Sequence, residues 1–354
     1  ELVETYLQQD VSVAIASQLS SVETEVTILV ETLTRLQSDP ENESLWNEAQ
    51  LAWYTTVLSW QPLEMMQIAS LGSSVSVTGG EDIRDQIYSW TLMNPCRIDQ
   101  VTATQEYQSE TFVSDALVSV RGLDAIEYLL FGYLETTCPS QVPPVSDGVW
   151  ASLDDNEIEK RRLEYALVLA TEVQSQVRLA KEQWLIGFPM DLYGSSVEGL
   201  NAVFDAMLYL EEGVKERKLH YPMGLTEDCT SDCASFVEGA LANVSADFIL
   251  ANLEGLNLLL EGVEDSQTGG LLGVLESISE TDLVIELQDT HLETMKQAGV
   301  LVGSGQPMSI MTAEPSEELV DFTDAISVYT SLLKWDIAAV LELQIPQSSA
   351  GDND

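Results

Sequence analysis

The sequence of 354 residues predicts an all-α protein, most simply two four-helix-bundle-like domains. Apolar residues recur at helical spacing in nearly every periodic stretch, and convincing strand-like alternation is absent. A hydrophobic content of 45%, spread evenly along the chain, is typical of a folded globular protein. The length allows two domains, each with an ordinary core.

The first half of the sequence predicts four main helices. They cover about 5–36, 44–70, 81–90 and 110–134. The first ends at a Ser-Asp-Pro turn, and Pro62 is expected to kink the second. Trp46, Trp53 and Trp60 recur every seven residues, which is typical of a bundle core.

The second half begins after a linker over 136–148 that carries three prolines. Its predicted helices cover about 153–186, 195–219, 234–262, 281–302 and 316–343. The expected domains are therefore 1–148 and 149–345, followed by a disordered tail over 346–354. Aligning Gly132 with Gly262 brings two Leu-rich stretches into register, which indicates an internal duplication or a chance match.

The charge restricts the partners. The chain has 59 acidic and 14 basic residues, a formal net charge of −45. Such a surface repels nucleic acid and anionic lipid, so neither is an expected partner. It suits a salty environment, or it recruits cations. No run of 18 apolar residues occurs, so we expect no transmembrane helix.

Four cysteines allow three pairings, of which Cys96–Cys138 with Cys229–Cys233 is the one expected. The first would close a loop of about 43 residues and stabilise the fold by roughly 4 kcal/mol in the chain-entropy model. Disulfides indicate an oxidising compartment, such as a periplasm or the cell exterior.

The segment 119–132 carries the most informative chemistry. Asp124 and Glu127 are three residues apart, so a helix places both carboxylates on one face. Leu123, Ile126 and Leu130 form an apolar stripe beside them. Carboxylates next to a stripe that favours burial need a cation or hydrogen-bond donors.

This segment resembles the signature of the imelysin-like family, Gly-x-His-x-x-Glu followed by Tyr-Leu-Leu-Phe-Gly. The matching residues are Gly122, Glu127 and the run 128–132. Further pieces that fit are Ile87-Tyr88-Ser89-Trp90, Asn94-Pro95-Cys96-Arg97-Ile98-Asp99-Gln100, Pro222-Met223-Gly224 and Ala251-Asn252-Leu253-Glu254-Gly255. The resemblance implies two four-helix-bundle-like domains, a bacterial envelope location, often by a lipid anchor, and an association with iron uptake.

The sequence departs from the signature at its histidine, which is replaced by Asp124. A hard oxygen in place of nitrogen favours harder cations such as Ca²⁺, Mn²⁺ or Fe³⁺. The change also removes a general base with a pKa near neutrality. Both effects count against a zinc peptidase, and His-Glu-x-x-His occurs nowhere in the chain. The alternative is a degenerate site that binds no metal.

The remaining candidate site residues lie elsewhere in the first half. Glu64 is the expected third metal ligand beside Asp124 and Glu127, or else a carboxylate that caps a kinked helix. Arg97, Asp99 and Arg121 are expected to converge as cofactor-binding residues. The alternative is a buried salt bridge from Arg97 or Arg121 to the motif carboxylates.

The sequence thus predicts an imelysin-like envelope protein associated with iron uptake, periplasmic or anchored in the outer membrane. It would bind a metal ion (Fe, Mn or Ca) or an iron-containing ligand near the motif helix and contact an envelope protein partner. Two alternatives stay open. One is a metallopeptidase with Glu127 as ligand or base, and the other is a non-catalytic interaction module.

Overall fold

The computed structural model describes residues 1–227 and 229–345, and its regular structure within these ranges is entirely helical. The α-helices α1–α16 are, in order, Leu2–Thr5, Ser12–Ser38, Glu43–Glu64, Ile83–Ile87, Pro95–Thr104, Phe112–Asp115, Gly122–Phe131, Asp155–Trp184, Met190–Tyr193, Ser196–Met207, Ser245–Leu260, Gly270–Ser277, Thr281–Ser304, Met308–Ala313, Glu317–Ser331 and Ala338–Val340. Wider π-helical turns cover Tyr6–Val11, Leu210–His220 and Leu332–Ile337, and 3₁₀ turns cover Ala69–Leu71, Glu106–Gln108, Val118–Val120, Trp150–Ser152 and Cys233–Phe236. The all-α prediction is confirmed.

The predicted motif helix over 110–134 is shorter in the structure. Extended backbone at Ala116 and Leu117 separates α6 from a 3₁₀ turn, and Arg121 is again extended before α7 begins at Gly122. The helix ends at Gly132, whose backbone is extended. Apolar periodicity continued across these breaks, so the sequence pattern alone did not reveal them.

The chain forms two compact units. The first, called the terminal unit here, comprises Glu1–Leu19, Trp60–Glu81 and the described part of Lys181–Asp354. The second, the motif unit, comprises Ser20–Ser59 and Asp82–Ala180. These differ from the predicted domains 1–148 and 149–345, because α2, α3 and α8 each contribute residues to both units. The internal duplication stays a prediction, and the predicted tail 346–354 lies outside the described residues.

The core of the motif unit follows the helical period. A series of buried apolar residues three or four positions apart runs along α2 and α3 in this unit and along α8. The series comprises Val22, Val26, Leu29, Leu33 and Leu36 of α2, Leu45, Ala49, Trp53 and Val57 of α3, and Leu163, Ala166, Leu169, Val173 and Val177 of α8. The indole Nε1 of Trp53 donates to the carbonyl of Leu123 at 2.6 Å, which ties α3 to the motif helix.

Buried charged groups are paired in the terminal unit. Lys334 lies 3.0 Å from Glu211, with both side chains almost fully buried. Lys218 contacts Glu238 at 2.8 Å and donates to Asn252 at 2.6 Å. Since a buried charge without a partner is strongly destabilising, these pairs are part of the packing.

Both expected disulfides, Cys96–Cys138 and Cys229–Cys233, are formed. Among the described residues, one helical stretch, Leu2–Ser38, is long and apolar enough to cross a membrane by length and composition alone, with a mean hydropathy of 1.3. The core helix of a soluble bundle and a signal sequence meet the same criterion. The absence of a transmembrane helix therefore stays a prediction.

Candidate functional site

The motif helix α7 begins at a position that requires glycine. Gly122 has a φ of +83°, a backbone conformation that residues other than glycine rarely adopt. A Cβ atom there would lie 2.9 Å from the carbonyl oxygen of Ile87 and 3.1 Å from Oδ1 of Asp124. The glycine of the signature thus lets the segment 87–89 approach the start of the helix.

Asp124 is buried, with 2% of its surface exposed. Its Oδ2 accepts a hydrogen bond from the hydroxyl of Ser89 at 2.9 Å. Its Oδ1 has no hydrogen-bond partner of good geometry among the described residues. Burial raises the pKa of Asp124 to about 6, while the Ser89 hydroxyl, nearby backbone N–H groups and the charge of Arg84 oppose that increase.

Glu127 lies one helical turn further along α7, and it is also buried. The structure therefore brings the two motif carboxylates onto one face, as the spacing predicts. Within residues 1–227 and 229–345, however, no group of three or more His, Cys, Asp or Glu side chains is arranged to hold a metal ion. A cation at this helix would need further ligands from water or from a molecule that carries it.

Glu64 is the last residue of α3 and belongs to the terminal unit, whereas Asp124 and Glu127 belong to the motif unit. It is fully buried, and its Oε1 accepts a hydrogen bond from Nε1 of Trp60 at 2.6 Å. Trp60 thus satisfies one oxygen of this carboxylate within the same helix. The role of Glu64 as a third ligand stays a prediction.

Arg97 and Asp99 lie in α5, which Asn94 caps by accepting from the backbone N–H of Arg97 at 3.0 Å. The Arg97 side chain is 39% exposed and pairs with Glu106, whose pKa it lowers. Asp99 is completely buried. The two predicted cofactor-binding side chains therefore lie in different environments.

Asp99 is the centre of a hydrogen-bond network. It accepts from the Tyr128 hydroxyl at 3.0 Å and from the backbone N–H of Thr137 at 2.8 Å, and Arg162 lies 3.5 Å away. The hydroxyl of Thr136 donates to it as well, at 2.9 Å. Together with the disulfide Cys96–Cys138, this network fixes both ends of the segment that contains the motif helix.

Arg121 is buried next to the start of α7, and burial lowers the pKa of its guanidinium. Its Nη1 donates to the backbone carbonyl of Val113. The charge of Arg84 lowers the pKa of Asp124, and Arg84 also donates hydrogen bonds to Asp85 and to the carbonyl of Trp90. Asp124 accepts a hydrogen bond from Ser89, and the alternative salt bridge from Arg97 or Arg121 to the motif carboxylates stays a prediction.

Sequence reasoning missed Ser89, Arg84 and Arg162 as parts of this region. Ser89 could have been identified from the sequence, because it lies in the run Ile87-Tyr88-Ser89-Trp90 that accompanies the signature. Arg162 is one of only 14 basic residues, which is a signal in so acidic a chain. Its 63-residue separation from Asp99 gave no indication of the contact.

Comparison with known proteins supports the all-α fold. The model of the Imelysin family matches residues 15–319. An imelysin-like protein from Psychrobacter arcticum 273-4 has a similar structure, with a TM-score of 0.74 and 16% identity, covering 98% of this chain and 97% of that one. A protein from Parabacteroides distasonis ATCC 8503, described as an iron-regulated protein A precursor, gives a TM-score of 0.71 and 14% identity, covering 96% and 94%. Among curated proteins, none matches the sequence.

Proposed function

The chain belongs to the imelysin family, and from this premise we propose that it is an iron-related protein of the cell envelope that binds a metal-containing cargo at α7. The cargo is a metal ion or an iron-containing ligand, and Asp124 and Glu127 supply oxygen ligands. A structural neighbour described as an iron-regulated protein A precursor supports the iron-related part. The two disulfides support an oxidising location such as the envelope.

The observation that carries the proposal is the buried Oδ1 of Asp124, which has no hydrogen-bond partner of good geometry among the described residues. A buried polar atom without a partner costs about 1–3 kcal/mol. A hard cation prefers carboxylate oxygen, so it would give this atom a partner of better geometry than the nearby backbone N–H groups. Glu127, three residues along the helix, adds a second carboxylate of the same chemical type.

The ligand set favours a cargo over a resident metal. The described residues contain no cluster of three protein ligands, so part of the coordination would come from water or from the incoming ligand. A metallopeptidase needs three protein ligands and an open coordination position for water. The described residues around Asp124 give that alternative no support.

A second candidate function is a non-catalytic interaction module in which Asp124 is purely structural. The hydrogen bond that the Ser89 hydroxyl donates to Asp124 favours it, because it satisfies one oxygen of this carboxyl group within the protein. In that case the acidic group would fix the approach of the segment 87–89 to α7 and bind nothing.

Thermal unfolding with added cations separates the two candidates. A ligand at a hundredfold excess over its Kd stabilises the native state by about 2.7 kcal/mol. We expect Fe³⁺ (as a soluble chelate), Mn²⁺ or Ca²⁺ to raise the Tm of the wild type and not that of the Asp124→Asn variant. Asp115→Asn is the matched control, since Asp115 is an exposed acid of the same unit and should keep the full increase. Equal behaviour of all three proteins would favour the interaction module.

A further inference from the structure

The terminal unit contains a polar pocket of about 260 Å³ that has no part in the function proposed above. The segment 67–78 contributes hydroxyl and amide groups to its lining, and the segment 193–212 contributes two phenol rings, Tyr193 and Tyr209, together with carboxylates. Drug-sized ligands occupy pockets of about 300–1,000 Å³. This pocket is therefore suited to a smaller molecule.

The charge of the lining is negative. Glu198, Asp205 and Glu212 line the pocket at intervals of seven residues, and none of its described lining residues is basic. Asp205 keeps part of its surface exposed. Partial burial and the charge of Glu212 raise the pKa of Asp205 to about 6, and no hydrogen bond or cation of the described chain opposes that increase. Asp205 and Glu212 therefore repel each other, and a positively charged ligand in the pocket would relieve that repulsion.

The spacing of these carboxylates favours an organic cation over a metal ion. Asp205 lies in α10 and Glu212 in the π-helical turn Leu210–His220. Seven residues of helix rise by about 10 Å, whereas Ca²⁺ holds its oxygen ligands at about 2.3–2.6 Å. In agreement, the described residues contain no group of three or more His, Cys, Asp or Glu side chains that could hold a metal ion. Two positive charges joined by a short chain match the separation better.

The remaining lining suits a ligand with polar ends and an apolar middle. An ammonium group has three N–H donors, and the hydroxyl oxygens of Ser76 and Thr78 are acceptors in the lining. Burial and the charge of Asp205 raise the pKa of Tyr193 to about 12, which places this phenol close to the carboxylate. Val77 and Ala202 add apolar surface for methylene groups.

We propose that this pocket binds a linear aliphatic diamine or polyamine. One ammonium group pairs with Asp205 and another with Glu212, while the methylene chain between them packs against Ala202. The net charge of −45 favours the approach of such a cation. The site shares no residue with the cation cargo site at Asp124 and Glu127, so either proposal can fail without the other.

Calorimetric titration at about 0.15 M salt tests the proposal, because this ionic strength screens the diffuse attraction of the acidic surface. Putrescine carries two ammonium groups, n-butylamine has the same carbon chain with one, and butanediol is uncharged. We expect putrescine to bind saturably and n-butylamine to bind at least about tenfold more weakly. Butanediol should give no saturable heat. Equal affinity for putrescine and n-butylamine, tighter binding of Ca²⁺ than of putrescine, or absence of saturable heat with putrescine overturns the proposal.

Matched variants locate the binding. Asp205→Asn should weaken putrescine binding at least about tenfold, because one of the two ion pairs is lost. Asp191→Asn removes the same charge from another exposed position of the terminal unit, outside the lining, and should retain the affinity of the wild type. Ala202→Leu narrows the pocket without a change of charge and should abolish binding. Circular dichroism checks that each variant is folded.

A further variant separates this pocket from the cargo site. Asp124→Asn should bind putrescine as tightly as the wild type. Loss of putrescine binding in Asp124→Asn, full binding in Ala202→Leu, or equal losses in Asp205→Asn and Asp191→Asn would place the amine elsewhere and overturn the proposal.

Discussion

Replacement of Asp124 by asparagine should change how the stability of the protein depends on pH. Burial raises the pKa of Asp124 from 3.8 to about 6 in the folded protein. Each pH unit between the unfolded and folded values corresponds to about 1.4 kcal/mol, so ionising this group in the fold costs up to about 3 kcal/mol.

The direction in which stability changes with pH follows from the increase in the pKa of Asp124 on folding. Because the folded pKa is higher than the unfolded one, the native state binds more protons between about pH 4 and pH 6. Stability therefore decreases as the pH rises through this window. Below about pH 4, Asp124 is protonated in both the folded and the unfolded state, so no free energy is lost. Above about pH 6, the full free-energy cost of ionising it in the fold applies.

Chemical denaturation of the wild type and of Asp124→Asn between pH 3.5 and pH 8 measures the effect. The stability of the wild type relative to the variant should fall by up to about 3 kcal/mol between about pH 4 and pH 6 and then stay constant. The many other acidic groups cancel in this difference, because both proteins contain them. A difference that does not vary with pH would refute the idea that Asp124 is buried and ionises at a cost.

Two further predictions concern the frame around the motif helix. Gly122→Ala should destabilise the protein by at least about 1–3 kcal/mol in urea unfolding, because the new Cβ meets a carbonyl oxygen at a positive φ. Gly148 is the control, because its φ is also positive, at +76°, but a Cβ atom added there would have no neighbour within 4 Å. Gly148→Ala should therefore lose only the stability that the unfavourable backbone conformation costs. An equal loss of stability in both variants would contradict the argument that the Cβ at position 122 clashes with its neighbours. Replacing Cys96 and Cys138 together by serine should lower the free energy of unfolding by about 4 kcal/mol, since a loop with a sequence separation of 42 is opened. An unchanged denaturation midpoint would show that the Asp99 network alone holds this segment.

Helical periodicity and cysteine spacing were sufficient for the fold class and for both disulfides. The breaks before α7 were not predictable, because the chain stays apolar through Ala116 and Leu117 while its backbone becomes extended. The division into two units was also hidden, because the long helices α2, α3 and α8 each contribute to both. The pattern of apolar residues along the sequence does not show that one helix contributes to two compact units.

The candidate site was only partly predictable. The spacing of Asp124 and Glu127 placed both on one face of a helix, and the structure has them there. Whether a charged side chain has a hydrogen-bond or ion-pair partner from a distant part of the chain depends on tertiary contacts. The spacing of residues in the sequence does not reveal these contacts. Asp99 illustrates this, because donors from Tyr128, Thr137 and Arg162 approach it from separate parts of the chain.

Calorimetric titration of the metal-free wild type and of Asp124→Asn with Fe³⁺ chelate, Mn²⁺, Ca²⁺ and Zn²⁺ tests the central proposal most directly. Saturable binding of at least one oxygen-preferring cation is expected in the wild type and in the Asp115→Asn control. In Asp124→Asn that binding should be lost, while the protein remains folded by circular dichroism. Absence of saturable heat in the wild type, or undiminished binding in Asp124→Asn, would contradict a cargo site at the motif helix.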